Sequence, residues 1–505
     1  MVNAAGAAAP DPRAFWLQPT ALFWSFVAAH AAAWTVLPAL LYPNPPLDII
    51  EALVMGREWQ LGYAKLPPLP WWTVEAVREI AGDRFWPFYL TAQVFVAVAF
   101  WAVWRLGRAL VSDRAALVGV VALAGLHYFN FTAPKFNHDV AQLPFWSLTG
   151  LTLWRALRDG RDRDWLLLGV WLAGAFWAKY FVVVLVAPLA LFILAEPQAR
   201  RCLATRGPYL AAAVALALAS PHLWWLVAHD FLPLAYAEAR AVPPRGVLDH
   251  VIRPLGFLAG QIAALAPVGL AVGAAAWRRG LPDAARPDAL AAFDRRYLAT
   301  VALGPCVTLL AMSLATGRFL VALWGYPLWC FVGLFLVARL RPALDAPAMR
   351  RFAVVAGGTA VVMAGAFIVS NAVLPAFDHR YRATQFPGQA VAVAVNRAWR
   401  EATGQPLAYA IGPMWLAGNV AAFAPDRPRA FVDADAHLHP WIDIADVARR
   451  GGVVLYWADI PDARPPAAPP SLAGAEPQPP LELDLIGRPG DRVRIGYAIL
   501  RPRAP

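Results

Sequence analysis

The stretch FWLQPTALFWSFVAAHAAAWTVLPALLY, residues Phe15–Tyr42, decides the class of this chain. As a helix it is long enough to cross the ~30 Å of hydrocarbon in a bilayer. It is too long for a signal-peptide core and has no small-residue cleavage site after it, so it reads as a retained first span. Similar apolar runs recur at 86–107, 114–133, 139–157, 164–178, 180–196, 207–228, 254–277, 297–316, 319–338 and 352–374. The expectation is a polytopic α-helical membrane protein of about eleven spans. Composition agrees, since 59% of the 505 residues are hydrophobic and 15% charged, against roughly 25% charged in soluble domains.

The runs at 164–178 and 180–196, separated by Lys179, read as a tight helical pair rather than one long helix, because Arg158, Arg161 and Arg163 precede them and Arg200 and Arg201 follow. With the N-terminus inside, the inner segments hold twenty basic residues and the outer loops before the tail hold ten. This bias places the N-terminus in the cytoplasm and residues after about 375 outside. The basic residues fall between apolar runs and form no patch with interleaved aromatics, so the net charge of +11 does not indicate a nucleic-acid partner. Cys202, Cys306 and Cys330 lack metal-type spacing and imply neither a disulfide framework nor a zinc site.

Two outer segments exceed simple connectors. Residues 43–85 contain the amphipathic stretch TVEAVREIAG (Thr73–Gly82) and fit short helices lying at the membrane surface. The tail, 376–505, is less apolar. It carries strand-like runs PLAYAIG (406–412), GGVVLYW (451–457) and RVRIGYAIL (492–500), with a Pro-rich stretch at Pro461–Pro480, and reads as a small α/β domain. The domain division is therefore 1–375, helical with the 43–85 loop, and 376–505.

Lysine usage narrows the polar residues. Of 44 basic residues only Lys65, Lys135 and Lys179 are lysines, and the topology puts all three on the outer side, where a compact ammonium is required or where chance has left them. Asp48 and Glu51 lie three apart in NPPLDIIE (Asn44–Glu51), on one face of a helix. Asp139, in KFNHDVAQLPFW (Lys135–Trp146), opens the fourth span. Carboxylates at the membrane boundary are costly unless partnered, so the acids and lysines form a candidate site; Asp48 and Asp139 also suit helix N-caps. His138, beside Asn137, reads as a hydrogen-bonded surface group or, less readily, a metal ligand. In HDFLPLAYAEAR (His229–Arg240), His229, Asp230, Tyr236, Glu238 and Arg240 either close over the site or form a solvated loop. His437 and His439 in HLHPW lie on one side of an expected strand, a weak metal pair.

In this order these residues resemble a family. An acid after the first span, KLPPLPWW at Lys65–Trp72, the Asp of NHDVAQLPFW, and Lys179 in FWAKYF (Phe176–Phe181) are similar to the GT-C superfamily of membrane glycosyltransferases, within it the protein mannosyltransferase and lipid A aminoarabinose transferase group. The resemblance covers residues 15 to about 340, with a looser match of the tail; Leu66 stands between Lys65 and the Pro pair, where the motif is Lys-Pro-Pro-Leu. It implies Asp48, with Glu51 as neighbour, as the catalytic acidic position, and Asp139 as the second acid lining the cavity. Lys65 and Lys179 match positions that hold the donor phosphate, with Lys135 at matching depth. Glu238, Arg240 and Arg318 belong to the acceptor or lid side, and Ala239 replaces the His of a Glu-His pair, which argues against a metal there while leaving a divalent cation open elsewhere.

The implied reaction is inverting transfer of a sugar from a polyprenyl-phosphate donor to a lipid, glycan or protein acceptor of a bacterial envelope. The implied place is the periplasmic face of the inner membrane, among membrane lipids. The absence of a P-loop or Gly-rich dinucleotide motif agrees with a donor that is not a nucleotide sugar. A transporter or flippase is the rival reading; it predicts polar residues near mid-membrane and paired broken helices. A catalytically dead scaffold is a third.

Overall fold

A computed structural model describes residues 18–240, 242–277, 289–378, 380–458 and 473–503. Among the described residues, six helices are long and apolar enough to cross a membrane: Pro19–Leu41, Trp86–Leu110, Gly207–Ala228, Asp249–Ala276, Ala292–Thr316 and the Ala346–Val373 run. Three further apolar runs are bent by 83°, 91° and 58° at short breaks, giving up to nine. The expected runs at 139–157 and 164–178 form the helices His138–Asp159 and Asp162–Ala178. Arg13 and the inner arginines at 278, 279 and 286 lie outside the described residues. Prolines inside these helices, such as Pro38, Pro144 and Pro305, are tolerated because neighbouring helices re-satisfy the freed backbone.

Helix Asp113–Leu123 packs on Val332–Leu340 through small residues. A Cβ on Gly333 would stand 2.1 Å from the Gly119 carbonyl oxygen, so only glycine permits the backbones to approach this closely, as in membrane helix pairs generally.

The 43–85 connection folds into helices Leu47–Gly56 and Leu69–Ala81, but the second does not simply rest an apolar face on lipid. It buries Glu75 and Arg78 beside Trp71 and Val74. The tail reaches both, the Ala422 carbonyl accepting from Arg78 at 3.4 Å and Arg427 lying 3.8 Å from the Glu75 carboxylate, while Asp83 accepts from Arg78 at 3.3 Å.

The tail carries a five-stranded sheet, order β2-β1-β3-β5-β4, with β1 Tyr409–Gly412, β2 Arg429–Val432, β3 Gly452–Trp457, β4 Glu476–Leu485 and β5 Arg488–Leu500. β1 pairs in parallel with β2 and β3, and β5 runs antiparallel to β3 and β4. The three expected runs become β1, β3 and β5. β4 was hidden in the Pro-rich stretch: Pro477, Pro479 and Pro480 lie within it, and an edge strand is where a missing N–H does least harm. His437 and His439 sit in a turn after β2, not on a strand, and His439 is buried against the Asp435 carbonyl at 3.0 Å. Helix Gly388–Thr403 buries Val391, Val395 and Trp399, one face at helical spacing. The hydrophobic core runs without interruption from the membrane helices through Ile49 and Leu53 to Leu416 and Leu455.

Candidate active site

The acids and lysines singled out in the sequence converge. Asp48, Glu51, Lys65, Asp139 and Lys179 line one cavity of about 570 Å³, together with Arg240 and Arg318. Each arrives for a local reason. Asn137 caps helix His138–Asp159, its side chain accepting from the N–H groups of Asp139 and Val140 at 3.1 and 3.3 Å. The N-cap expected of Asp139 is therefore taken by its neighbour, and the carboxylate is released to face the cavity. Gly160, in left-handed backbone (φ 64°), closes that helix, and the chain returns as Asp162–Ala178. The second helix ends where the first begins. Asp139 thus stands at a helix N-terminus and Lys179 at a C-terminus, both favourable to the helix dipoles. Lys179 is extended (φ −169°, ψ 141°), which breaks the helix, and its Nζ donates to Asp139 Oδ1 at 2.6 Å.

A second pair forms across the 43–85 connection. Lys65 Nζ donates to both Glu51 oxygens at 2.6 and 2.9 Å and lies 5.5 Å over the Tyr236 ring. Burial pulls the Lys65 ammonium down, but Glu51, Tyr236 and Asp48 more than offset this and hold it above its usual value. His138 donates from Nε2 to the Pro67 carbonyl at 2.9 Å and packs edge-on against Trp71. It is a buried tie between the Lys65–Trp72 motif and the Asp139 helix rather than a surface group.

Asp48 differs from both paired acids. It sits in the first turn of helix Leu47–Gly56, whose N-cap is Pro46, so it is not a cap. Among the described residues no donor lies within hydrogen-bonding distance of its carboxylate. Burial, reinforced by Glu51 and Asp139 and opposed by Lys135 and Lys65, pushes it up to about 6. Lys135 is half-buried and outside the cavity lining; its charge reaches the site through Asp48. The next residue, Phe136, buried against Phe95, holds left-handed backbone (φ 31°) that a bulky residue adopts only when packing imposes it.

Helix Pro233–Arg240 brings Tyr236 and Arg240 to the cavity, while Glu238 points to solvent and pairs with Arg318 at 3.6 Å. His229 and Asp230 are not in the lining. A divalent cation does not fit the donor set. Two of the three carboxylates are held by lysines, and no group of three His, Cys, Asp or Glu among the described residues is placed to bind a metal.

Sequence reasoning missed two parts. His222, on helix Gly207–Ala228, contacts the Leu61 carbonyl through Nδ1 at 2.6 Å, while Tyr180 lies 2.8 Å from Nε2; the residue beside Lys179 is thereby tied to the loop before Lys65. A lone His inside an apolar run was the available signal. The apolar wall, Phe181, Val183, Val184, Met312 and Phe319 through Trp324, comes from three distant runs that read only as spans.

Residues 65–225 match the dolichyl-phosphate-mannose-protein mannosyltransferase family. The chain is 25% identical over 502 residues to the lipopolysaccharide core galacturonosyltransferase RgtB of Rhizobium johnstonii, covering 94% of this chain and 97% of that one. It is 26% identical to RgtA of the same organism, covering 94% and 96%. In fold it is similar to ArnT from Cupriavidus metallidurans bound to undecaprenyl phosphate, with a TM-score of 0.64 over 95% of this chain and 98% of that one at 14% identity. The family match, the two relatives covered almost end to end and the shared fold point the same way: the chain is similar in sequence to glycosyltransferases and in fold to a protein that binds undecaprenyl phosphate.

Proposed function

We propose that the protein transfers a sugar from a polyprenyl-phosphate donor to an envelope glycolipid, with inversion at the anomeric carbon. The reaction is placed at the periplasmic face of the inner membrane, with the chain divided near residue 375 into a helical catalytic part and a periplasmic tail. Following RgtA and RgtB, the sugar proposed is a galacturonosyl residue and the acceptor a lipopolysaccharide core, or lipid A as named for RgtD of the same organism. The observation that carries this reading is the cavity itself: among the described residues, one unpaired carboxylate and two lysine–carboxylate pairs share a single space with an extended apolar wall. Such a space suits a charged head joined to a hydrocarbon tail.

The chemistry follows from the groups. An acceptor hydroxyl oxygen bonds to the anomeric carbon as the bond from that carbon to the phosphate oxygen breaks. Asp48 takes the hydroxyl proton as general base. The electron pair leaves with the polyprenyl phosphate, whose growing negative charge Lys65 and Lys179 stabilise. Asp139 aims Lys179, and Glu51 aims Lys65. Arg240 is the cation of the lining available to a second anionic group, such as a uronate carboxylate.

Polar groups gathered at one end of the spans, rather than mid-membrane on broken paired helices, favour transfer over a transporter. The test is purified protein in lipid vesicles with radiolabelled undecaprenyl-phosphate galacturonic acid and deacylated or intact lipid A core. Labelled acceptor is expected; labelled donor crossing the vesicle wall without product would instead establish the transporter reading. A pH dependence follows. Asp48 acts as a base only when ionised, so kcat falls as pH drops through about 6. A rate that stays level down to pH 4.5 would assign the proton to another group.

A further inference from the structure

We infer that the tail domain is a positioning element of the active site, clamping the short helix that carries Asp48 and Glu51 at its back and at both ends. This rests on the proposed function for the role of Asp48; the clamp is an independent observation.

Helix Leu47–Gly56 presents Asp48 and Glu51 to the cavity. Its back, Ile50 and Val54, rests on helix Met414–Phe423 of the tail. The contact is made at Gly418, where a Cβ would stand 2.8 Å from Ile50 Cγ2 and 3.3 Å from Val54 Cγ2. Ile50 is fully buried, so an added methyl has no free space and must push the helix off its seat.

The approach to the helix is held by Asn44. Its N–H donates to the Thr384 carbonyl at 3.0 Å, and its Nδ2 donates to Asn419 Oδ1 at 3.2 Å and to the Ala383 carbonyl at 3.4 Å. Asn419 is fixed in turn by donating to the Trp415 carbonyl at 2.6 Å. At the exit, Arg429 on β2 grips Glu58 with two bonds of 2.5 and 3.1 Å, and Arg57 donates to the carbonyls of Arg427 and Pro428.

The partners of the other half of the site, Asp139 and Lys179, stand instead on the membrane helices. Helix Leu69–Ala81 supports the same ten-residue helix on its other side, at Gly56 against the Trp71 carbonyl, so the distance between the base and Lys179 depends on the tail holding its share of that seat. A displacement of about 1 Å at such a site costs roughly a hundredfold in rate. The tail residues act through the helix and touch neither substrate nor cavity, which makes Gly418, Asn419 and Arg429 positioning residues.

The test uses the full-length chain in vesicles, with kcat, donor KM and the pH profile measured for Gly418→Ala, Asn419→Ala, Glu58→Arg, Arg429→Glu and the Glu58→Arg/Arg429→Glu swap. Gly418→Ala and the two single reversals are expected to lower kcat about tenfold to hundredfold with donor KM within about threefold. The swap restores kcat to within about threefold of wild type. The acid limb moves to lower pH in Gly418→Ala, because Asp48 loses some of its burial among Glu51, Lys65, Lys135 and Asp139. A uniform loss of rate with an unmoved acid limb, or single variants within twofold of wild type, would overturn the clamp. Asp48→Asn separates the two ideas: if it is inactive while the clamp variants keep full rate, only the clamp fails, whereas an active Asp48→Asn removes the role that the clamp is inferred to serve.

Discussion

Asp48→Asn is expected to lower kcat for sugar transfer by about 10²–10⁴-fold, the range of a positioned general base, while the protein still binds polyprenyl phosphate and folds. The substitution keeps the size of the side chain and removes its charge. No hydrogen bond to this carboxylate is lost among the described residues, and both lysine–carboxylate pairs stay in place. Stability should be unchanged or higher. The folded chain holds its Asp48 proton more tightly than an unfolded chain does, up to about pH 6. The ionised carboxylate therefore costs stability as pH rises from the ordinary carboxylate range through about 6, and the cost is fully present above it. Asparagine removes that cost. Single-turnover transfer with labelled donor, run beside a thermal melt in detergent at pH 8, checks both halves. A variant that retains more than about a tenth of the wild-type rate would move the base to Glu51 or Asp139.

Lys179→Gln should damage both stability and rate, and a second substitution should separate them. The Lys179–Asp139 pair is largely buried, with side-chain exposures of 13% and 12%. Removing one partner leaves an uncompensated carboxylate, which costs about 3–5 kcal/mol, so Tm should fall clearly. Loss of a cation from the leaving phosphate should lower kcat by about 10²–10³-fold in the fraction that folds. In Asp139→Asn/Lys179→Gln the stranded charge is gone and an amide pair replaces it. Tm is then expected to recover while the rate does not. Recovery of both would reduce Lys179 to a structural strut and leave Lys65 as the phosphate-binding group.

Six of the eleven expected runs form helices long and apolar enough to cross a membrane, and they were legible because the free energy of placing a side chain in lipid is a property of the residue and its near neighbours. The same locality explains where reading fell short. The runs at 114–133, 180–196 and 319–338 are apolar throughout, yet each is part of a bent run, because hydropathy does not register where packing breaks a helix. β4 was missed since proline composition signals a linker until an edge position makes it acceptable. The burial of Glu75 and Arg78 could not be read from an amphipathic pattern, because Ala422 and Arg427, which pack over them, lie about 340 to 350 residues away along the chain.

At the site, residue type alone was informative. Only three of the 44 basic residues are lysines, and two of them line the cavity.

What the amino-acid sequence determined by itself is the membrane class, the apolar runs and the small α/β tail, all of them consequences of local transfer energies and residue chemistry. Only the tertiary structure decided which lysine meets which acid, that Asp48 is left without a partner among the described residues, that His222 ties two loops together and that the tail packs on the Asp48 helix. Those outcomes depend on contacts between residues tens to hundreds of positions apart, whose energies exist only once the helices have packed.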